Sequence, residues 1–163
     1  MDTGIEASQS LDGRCTCGQA RYRVLTTPLF VHCCHCTWCQ RESGSAFAVN
    51  ALIETDRFEL IRGEIERIVT PTSSGRGQEI VRCPVCKVAL WSHYSAAGRA
   101  IHFVRVGTLE NPAACAPDIH IYTSTKQPWV PLPADVPAVP EYYRRSEYWP
   151  ADSMARYRKA VGK

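Results

Sequence analysis

The sequence predicts an all-β domain, and three observations predict it. Apolar and polar residues alternate in short runs, the period of a half-buried strand. Clusters of glycine, proline, asparagine and serine punctuate those runs at brief intervals, as turns between strands do. No long helical pattern separates them, which argues against alternating strands and helices. At 163 residues the chain is most simply one domain, long enough to bury a real core.

Residues 1–12 read as a polar, disordered lead-in. The domain proper is expected over 13–126. RCTCGQARYRV sets Cys15 and Cys17 two apart, so an extended backbone points both thiols to one side, and Gly18 allows a tight reversal. Phe30-Val31 leads into a cysteine cluster, after which Trp38 to Gly44 reads as one helical turn ended by glycine. Ala46 to Ile53, Phe58 to Ile61 and Ile65 to Thr70 are strand-like, and PTSSGRGQ (71–78) is the clearest loop. Strands follow at Glu79–Arg82, Val88–Tyr94, Ile101–Val106 and Asp118–Thr123. The tail, 127–163, differs in kind: a proline-rich extended segment precedes a short helix from Pro150 to Val161. Tyr142, Tyr143, Tyr148 and Trp149 imply that this tail docks on the domain.

Composition excludes more than it assigns. A net charge of +3 is too small to point to nucleic acid or an acidic membrane surface, and leaves room for a small anionic ligand. The first residues lack an apolar signal-peptide core, and no later run approaches the roughly 20 apolar residues of a membrane span. The expected location is therefore the cytoplasm, where structural disulfides are disfavoured.

Nine cysteines then need another explanation. Two C-x-C pairs (Cys15/Cys17 and Cys34/Cys36) and two C-x-x-C pairs (Cys36/Cys39 and Cys83/Cys86) account for most of them, leaving Cys33 and Cys115. Thiolates crowded so closely repel each other unless a cation sits among them. Zinc is the usual cation, taking sulfur at about 2.3 Å in a tetrahedron.

Spacing alone allows two partitions. In one, Cys15, Cys17, Cys83 and Cys86 close a four-sulfur site, and Cys34, Cys36 and Cys39 form a three-sulfur site. In the other, Cys36, Cys39, Cys83 and Cys86 make a zinc ribbon and the remaining cysteines are left over. The first uses both C-x-C pairs. A closed site would contribute folding free energy, whereas an open corner would admit a substrate atom or be filled by His32, His35 or Cys33.

GRCTCGQARYRV, CHCTWCQRESGSAF, CPVCKVALW and GTLENP with PDIHIYTSTKQPW, in that order, resemble the glutathione-dependent formaldehyde-activating enzyme family from about Gly13 to Trp129. The resemblance implies a zinc-bound β-tent fold of short antiparallel strands, with two zinc ions per chain. Cys15, Cys17, Cys83 and Cys86 match that family's structural ligands, and Cys34, Cys36 and Cys39 match its catalytic ones. It also implies a carbon–sulfur lyase that joins glutathione, a small-molecule thiol, to formaldehyde, giving S-hydroxymethylglutathione, or cleaves such adducts. Lys87 stands where that family usually has glycine, its GTLDDP-like turn reads GTLENP here, and Cys33 is an additional thiol.

The donor set itself bears on the chemistry. Three thiolates outweigh a dication, so the centre is anionic and acidifies water less than histidine-bound zinc; hydrolysis is disfavoured and a soft thiolate suits the fourth position. Arg41 and Lys87 are candidates to attract glutathione's carboxylates. Trp38 is expected to pack beside the site. His93, His102 and His120 are expected as ordinary strand residues, Cys115 as a bystander, and Ser43 and Ser45 lack a nucleophile-activating arrangement. The competing reading is a non-catalytic zinc module that binds a protein partner.

Overall fold

A computed structural model describes residues 10–163, so most of the expected lead-in lies outside the described residues. Its last residues belong to the first strand, β1 (Leu11–Arg14). The fold is mostly β, in two sheets. The smaller one orders β1 beside β2 (Arg21–Val24) and, beyond it, β5 (Phe58–Arg62). The larger has seven strands, from β10 (Ile119–Ile121) at one edge through β3 (Phe30–Cys34), β4 (Ala48–Glu54), β9 (Ile101–Arg105), β8 (Ala89–Tyr94) and β7 (Gln78–Arg82) to β6 (Glu66–Thr70). The helix α1 (Thr37–Ser43) follows β3 directly, and Gly44 ends it with a left-handed φ of 66°.

One pairing departs from the antiparallel arrangement expected of short strands. β10 runs parallel to β3, setting His120 opposite Cys33 and Ile121 opposite Cys34. The 106–118 connection turns through two short 3₁₀ segments and delivers the chain alongside β3 in the same direction. Asp118 then clamps the entry: its amide donates to the Val31 carbonyl (2.9 Å), and its carboxylate accepts from the Val31 amide (2.8 Å).

Cross-strand partners share a sheet face. Phe30 and Cys34 therefore lie on the same face as Ala48, Asn50, Leu52 and Arg105, while Val31 and Cys33 lie on the other with Val49, Ala51 and Val104. The three-stranded sheet covers the second face, packing Tyr22 and Val24 against Ala51, Ile53 and Trp91. Gly13 makes that packing possible, because a Cβ there would meet the Tyr22 ring at 2.1 Å. The C-terminal tail covers the first face. α2 (Arg145–Tyr148) and α3 (Ala151–Val161) bring Trp149 and Tyr157, and the chain before them brings Tyr143, into the core formed by Phe30, Leu52, Ile101 and Ile119.

The proline-rich stretch does more than wrap the surface. The His120 amide donates to the Pro137 carbonyl (2.8 Å) and the Val139 amide donates back to the His120 carbonyl (2.9 Å). Residues 137–139 thus cover the open edge of β10, which would otherwise present unpaired backbone groups.

Candidate metal centres

Cys15 and Cys17 do not share an extended strand as expected. β1 stops at Arg14 and the chain reverses, with the Gly18 amide donating to the Cys15 carbonyl and the Cys15 amide to the Ala20 carbonyl, both at 3.1 Å. Gly18 takes a φ of +76°, which commits the segment to a turn. The turn still converges the thiols, at 3.5 Å sulfur to sulfur, and Cys17 lies 3.7 Å from Cys83. Across the molecule the turn after β7 supplies Cys83 and Cys86, with the Lys87 amide donating to the Cys83 carbonyl (3.0 Å). All four sulfurs lie within 4.8 Å of one another. A tetrahedron with metal–sulfur bonds of about 2.3 Å has edges of about 3.8 Å, so the set fits a zinc ion.

The amides of Ala20 and Val85 donate to the sulfurs of Cys15 and Cys83. Such bonds favour thiolates. The Cys86 thiol is drawn down to about 6, chiefly by hydrogen bonding to the Cys17 backbone amide. Lys87 holds a φ of 64°, in the left-handed region that favours glycine.

The second group comprises Cys34, Cys36 and Cys39, again within 4.8 Å of one another. Cys34 ends β3, Cys36 caps α1, and Cys39 lies in its first turn, so one strand-to-helix junction supplies every sulfur. The Cys39 amide donates to the Cys36 sulfur at 3.3 Å. As bare thiols the three divide sharply. Hydrogen bonds from Cys34 and then Cys39 pull Cys36 down to about 2, whereas the bond with Cys36, then that with Cys39 and burial, pushes Cys34 far above the usual thiol range. Only a cation among them allows all three to be thiolates. The zinc-ribbon partition, which would join Cys36 and Cys39 to Cys83 and Cys86, is not assembled.

No fourth histidine, cysteine or carboxylate completes the three-sulfur group among the described residues. Cys33 points to the opposite face from Cys34, and it groups there with His35 and His120. His32 shares the face of Cys34 but is engaged elsewhere. Trp149 Nε1 donates to the Tyr143 hydroxyl (2.6 Å), leaving that hydroxyl to donate to His32 Nε2 (2.5 Å). Burial drives the His32 pKa down to about 3, so the ring is a neutral acceptor held by the tail.

Arg105 was not singled out by the sequence, where it is one arginine among many. Its guanidinium donates to Asn50 Oδ1 and to Ser92 Oγ (3.0 Å), both neutral, and meets no carboxylate among the described residues. Its positive field bears on Cys39 and on Tyr94. Lys87 instead pairs with Glu66 at 3.0 Å beside the four-sulfur group. Arg41 is exposed, and Trp38 is partly so at 38%. Ser43 donates to the Cys39 carbonyl (2.8 Å) and Cys115 is buried as a free thiol, neither with catalytic company. An open groove of about 390 Å³ runs beside α1, lined by Gln40, Gly44, Ser45, Ala46, Gln127 and Trp129.

A family model described as glutathione-dependent formaldehyde-activating enzyme matches residues 10–125, which include both cysteine groups. The chain belongs to this family. No curated protein matches it. The chain is similar to a Rhodobacter sphaeroides protein of known crystal structure, with a TM-score of 0.46 and 19% identity over 61% of this chain and 87% of that one. Family membership supports an activity related to glutathione and formaldehyde. The cysteine groups are able to hold metal ions, and no helix among the described residues is long and apolar enough to cross a membrane.

Proposed function

We propose that this chain is a zinc-dependent carbon–sulfur lyase that joins glutathione and formaldehyde into S-hydroxymethylglutathione, or cleaves that adduct. One observation carries the reading: three sulfurs converge at the β3–α1 junction with no fourth protein donor among the described residues, while Cys33 and His35 turn to the opposite face. Cys15, Cys17, Cys83 and Cys86 would hold a structural zinc, and Cys34, Cys36 and Cys39 the zinc of the active centre. Zinc held there would be a Lewis acid with an open position, where a coordinating thiol loses its proton.

The protein's own part is to bind and orient. The Cys39 amide bonded to the Cys36 sulfur fixes the ligand geometry around the open side. Arg105, hydrogen-bonded to the neutral Asn50 and Ser92, offers positive charge to an anionic adduct. The groove beside α1, with Trp129 on its rim, accommodates the peptide. In the forward reaction the sulfur attacks the carbonyl carbon, the carbon–oxygen π pair moves to oxygen, and the thiol proton ends on that oxygen. Held together, two reactants avoid much of the entropy cost of meeting, which alone is worth several kcal/mol.

Exchange NMR on glutathione and formaldehyde at equilibrium tests the reading. The zinc-loaded protein should accelerate interconversion, and Cys36→Ser should abolish the acceleration. No acceleration by the zinc-loaded protein would remove formaldehyde as the substrate and return weight to a protein-binding zinc module.

A further inference from the structure

We propose that Cys33, His35 and His120 form a third metal site, on the sheet face opposite Cys34, Cys36 and Cys39, that takes a late first-row transition ion such as zinc or cuprous copper. The segment VHCCHC alternates in its donors, and an extended chain sends successive side chains to opposite faces. Cys34 therefore serves one face, and Cys33 and His35 the other. The parallel register supplies the third donor, since His120 of β10 lies directly across from Cys33 of β3.

The geometry is that of a ligand set. Cys33 Sγ lies 3.6 Å from His35 Nε2, which lies 2.9 Å from His120 Nδ1, and all three donor atoms fall within 4.8 Å of one another. A tetrahedral ion bonded at about 2.3 Å to sulfur and about 2.0 Å to nitrogen needs donors about 3.3–3.6 Å apart. The thiol–imidazole spacing already meets this, and the two imidazoles need to part by a few tenths of an ångström. The cluster is closed to solvent, at 1%, 0% and 7% exposure for Cys33, His35 and His120.

One thiolate with two imidazoles selects soft late-transition ions over calcium or magnesium, which require oxygen donors. A single thiolate also neutralises a monovalent ion, and a neutral centre is the least costly one to bury. Because Cys33 and His120 sit on different strands, an ion here would tie the edge strand β10 to β3. It would also steady the far side of the segment that carries Cys34 and Cys36. This site is independent of the activity proposed above.

The full chain, loaded with two equivalents of zinc for its two cysteine groups, should be titrated with Co2+. We expect one further equivalent with the visible d–d bands of a tetrahedral ion and weak thiolate charge transfer. That equivalent should vanish in Cys33→Ala and in His120→Asn, with far-UV circular dichroism unchanged in Cys33→Ala. Saturation of the native chain with no further equivalent overturns the proposal, because a merely hydrogen-bonded thiol–imidazole chain predicts that result, and so does a further equivalent that survives Cys33→Ala, because the ion then lies elsewhere. Repeating the titration with Cu+ under a competing chelator identifies the preferred ion: retention of one equivalent, lost in Cys33→Ala, selects copper, and no retention beside a cobalt site selects zinc.

Discussion

Arg156 closes a two-point ion pair on Glu54, with Nε and Nη2 each 2.7 Å from a carboxylate oxygen. The pair is sequestered, the Arg156 and Glu54 side chains being 13% and 4% exposed, and it fastens α3 to the last residue of β4. The same guanidinium donates to the Thr27 carbonyl at 3.1 Å. Arg57 approaches Glu54 less closely, at 3.6 Å.

Removing Arg156 should therefore leave a buried charge poorly compensated. Arg156→Ala is expected to destabilise the chain by about 3 kcal/mol, the lower end of what breaking such a pair costs because Arg57 compensates in part. Arg156→Met combined with Glu54→Gln should recover much of that loss, since no charge remains to be buried. Urea denaturation measures both variants. A loss from Arg156→Ala no larger than the ~1 kcal/mol of a surface pair would show that the tail is held by its aromatic contacts alone.

The two cysteine groups should respond differently to the loss of one ligand. Cys83→Ser breaks a site that joins the turn after β1 to the turn after β7, and folding free energy is coupled to a structural metal. It is expected to unfold the chain or lower its melting temperature by well over 10 °C, taking about 2–4 °C per kcal/mol. Cys36→Ser touches one junction only, and serine accepts the Cys39 amide as a good helix cap. It should melt within a few degrees of the native chain. Equal losses in the two melts would contradict the division of roles.

Much of this was legible in the sequence, and the exceptions have physical reasons. The strands, α1 with its Gly44 stop and the tail helix follow from periodicity and punctuation within a few residues. The local pairs of cysteines were visible because thiols two and three apart sit on single turns, whereas spacing left open which pairs meet across the fold. Which face each donor takes was not used, although alternation along VHCCHC implies it. The partner that makes Cys33 and His35 a cluster, His120, arrives through the parallel β10–β3 register, a non-local pairing that no local pattern encodes. Arg105 was missed for a related reason, since its distinction is neutral company in space. The engagement of His32 by Tyr143 depends on tail docking that the aromatic residues announced without giving its register.

Lys87 offers a test of backbone strain. A non-glycine residue with left-handed φ costs roughly 1–2 kcal/mol, set against the entropy that glycine loses on folding. Its ion pair with Glu66 has side chains 63% and 30% exposed and contributes little. Lys87→Gly should thus be neutral or stabilising by up to about 1 kcal/mol, with zinc content unchanged, and Lys87→Val should be destabilising because a β-branched residue fits that φ worst. Loss of stability in Lys87→Gly would mean that the Glu66 contact outweighs the strain.

His102 should make the protein acid-sensitive. Its ring is stacked with Trp91 at 5.3 Å between centroids and meets Phe58 edge-on at 4.5 Å, and its Nδ1 finds no hydrogen-bond partner. Burial first, then the nearby His93 and Arg67, drives its pKa from 6.5 down to about 3. Below pH 6.5 the unfolded chain takes up a proton that the folded chain refuses. The stability this residue contributes is therefore complete above that pH and falls as pH drops toward about 3. The slope approaches about 1.4 kcal/mol per pH unit for one such site. His102→Leu removes the titration while keeping an apolar side chain between the same rings. The denaturation midpoint of the native chain minus that of His102→Leu, compared from about pH 7 to about pH 5, should decrease as pH falls. Acid release of metal acts on both chains alike and cancels in the difference. Parallel slopes would mean that His102 gains a proton in the folded state, and that its ring is not held neutral by the Trp91–Phe58 stack.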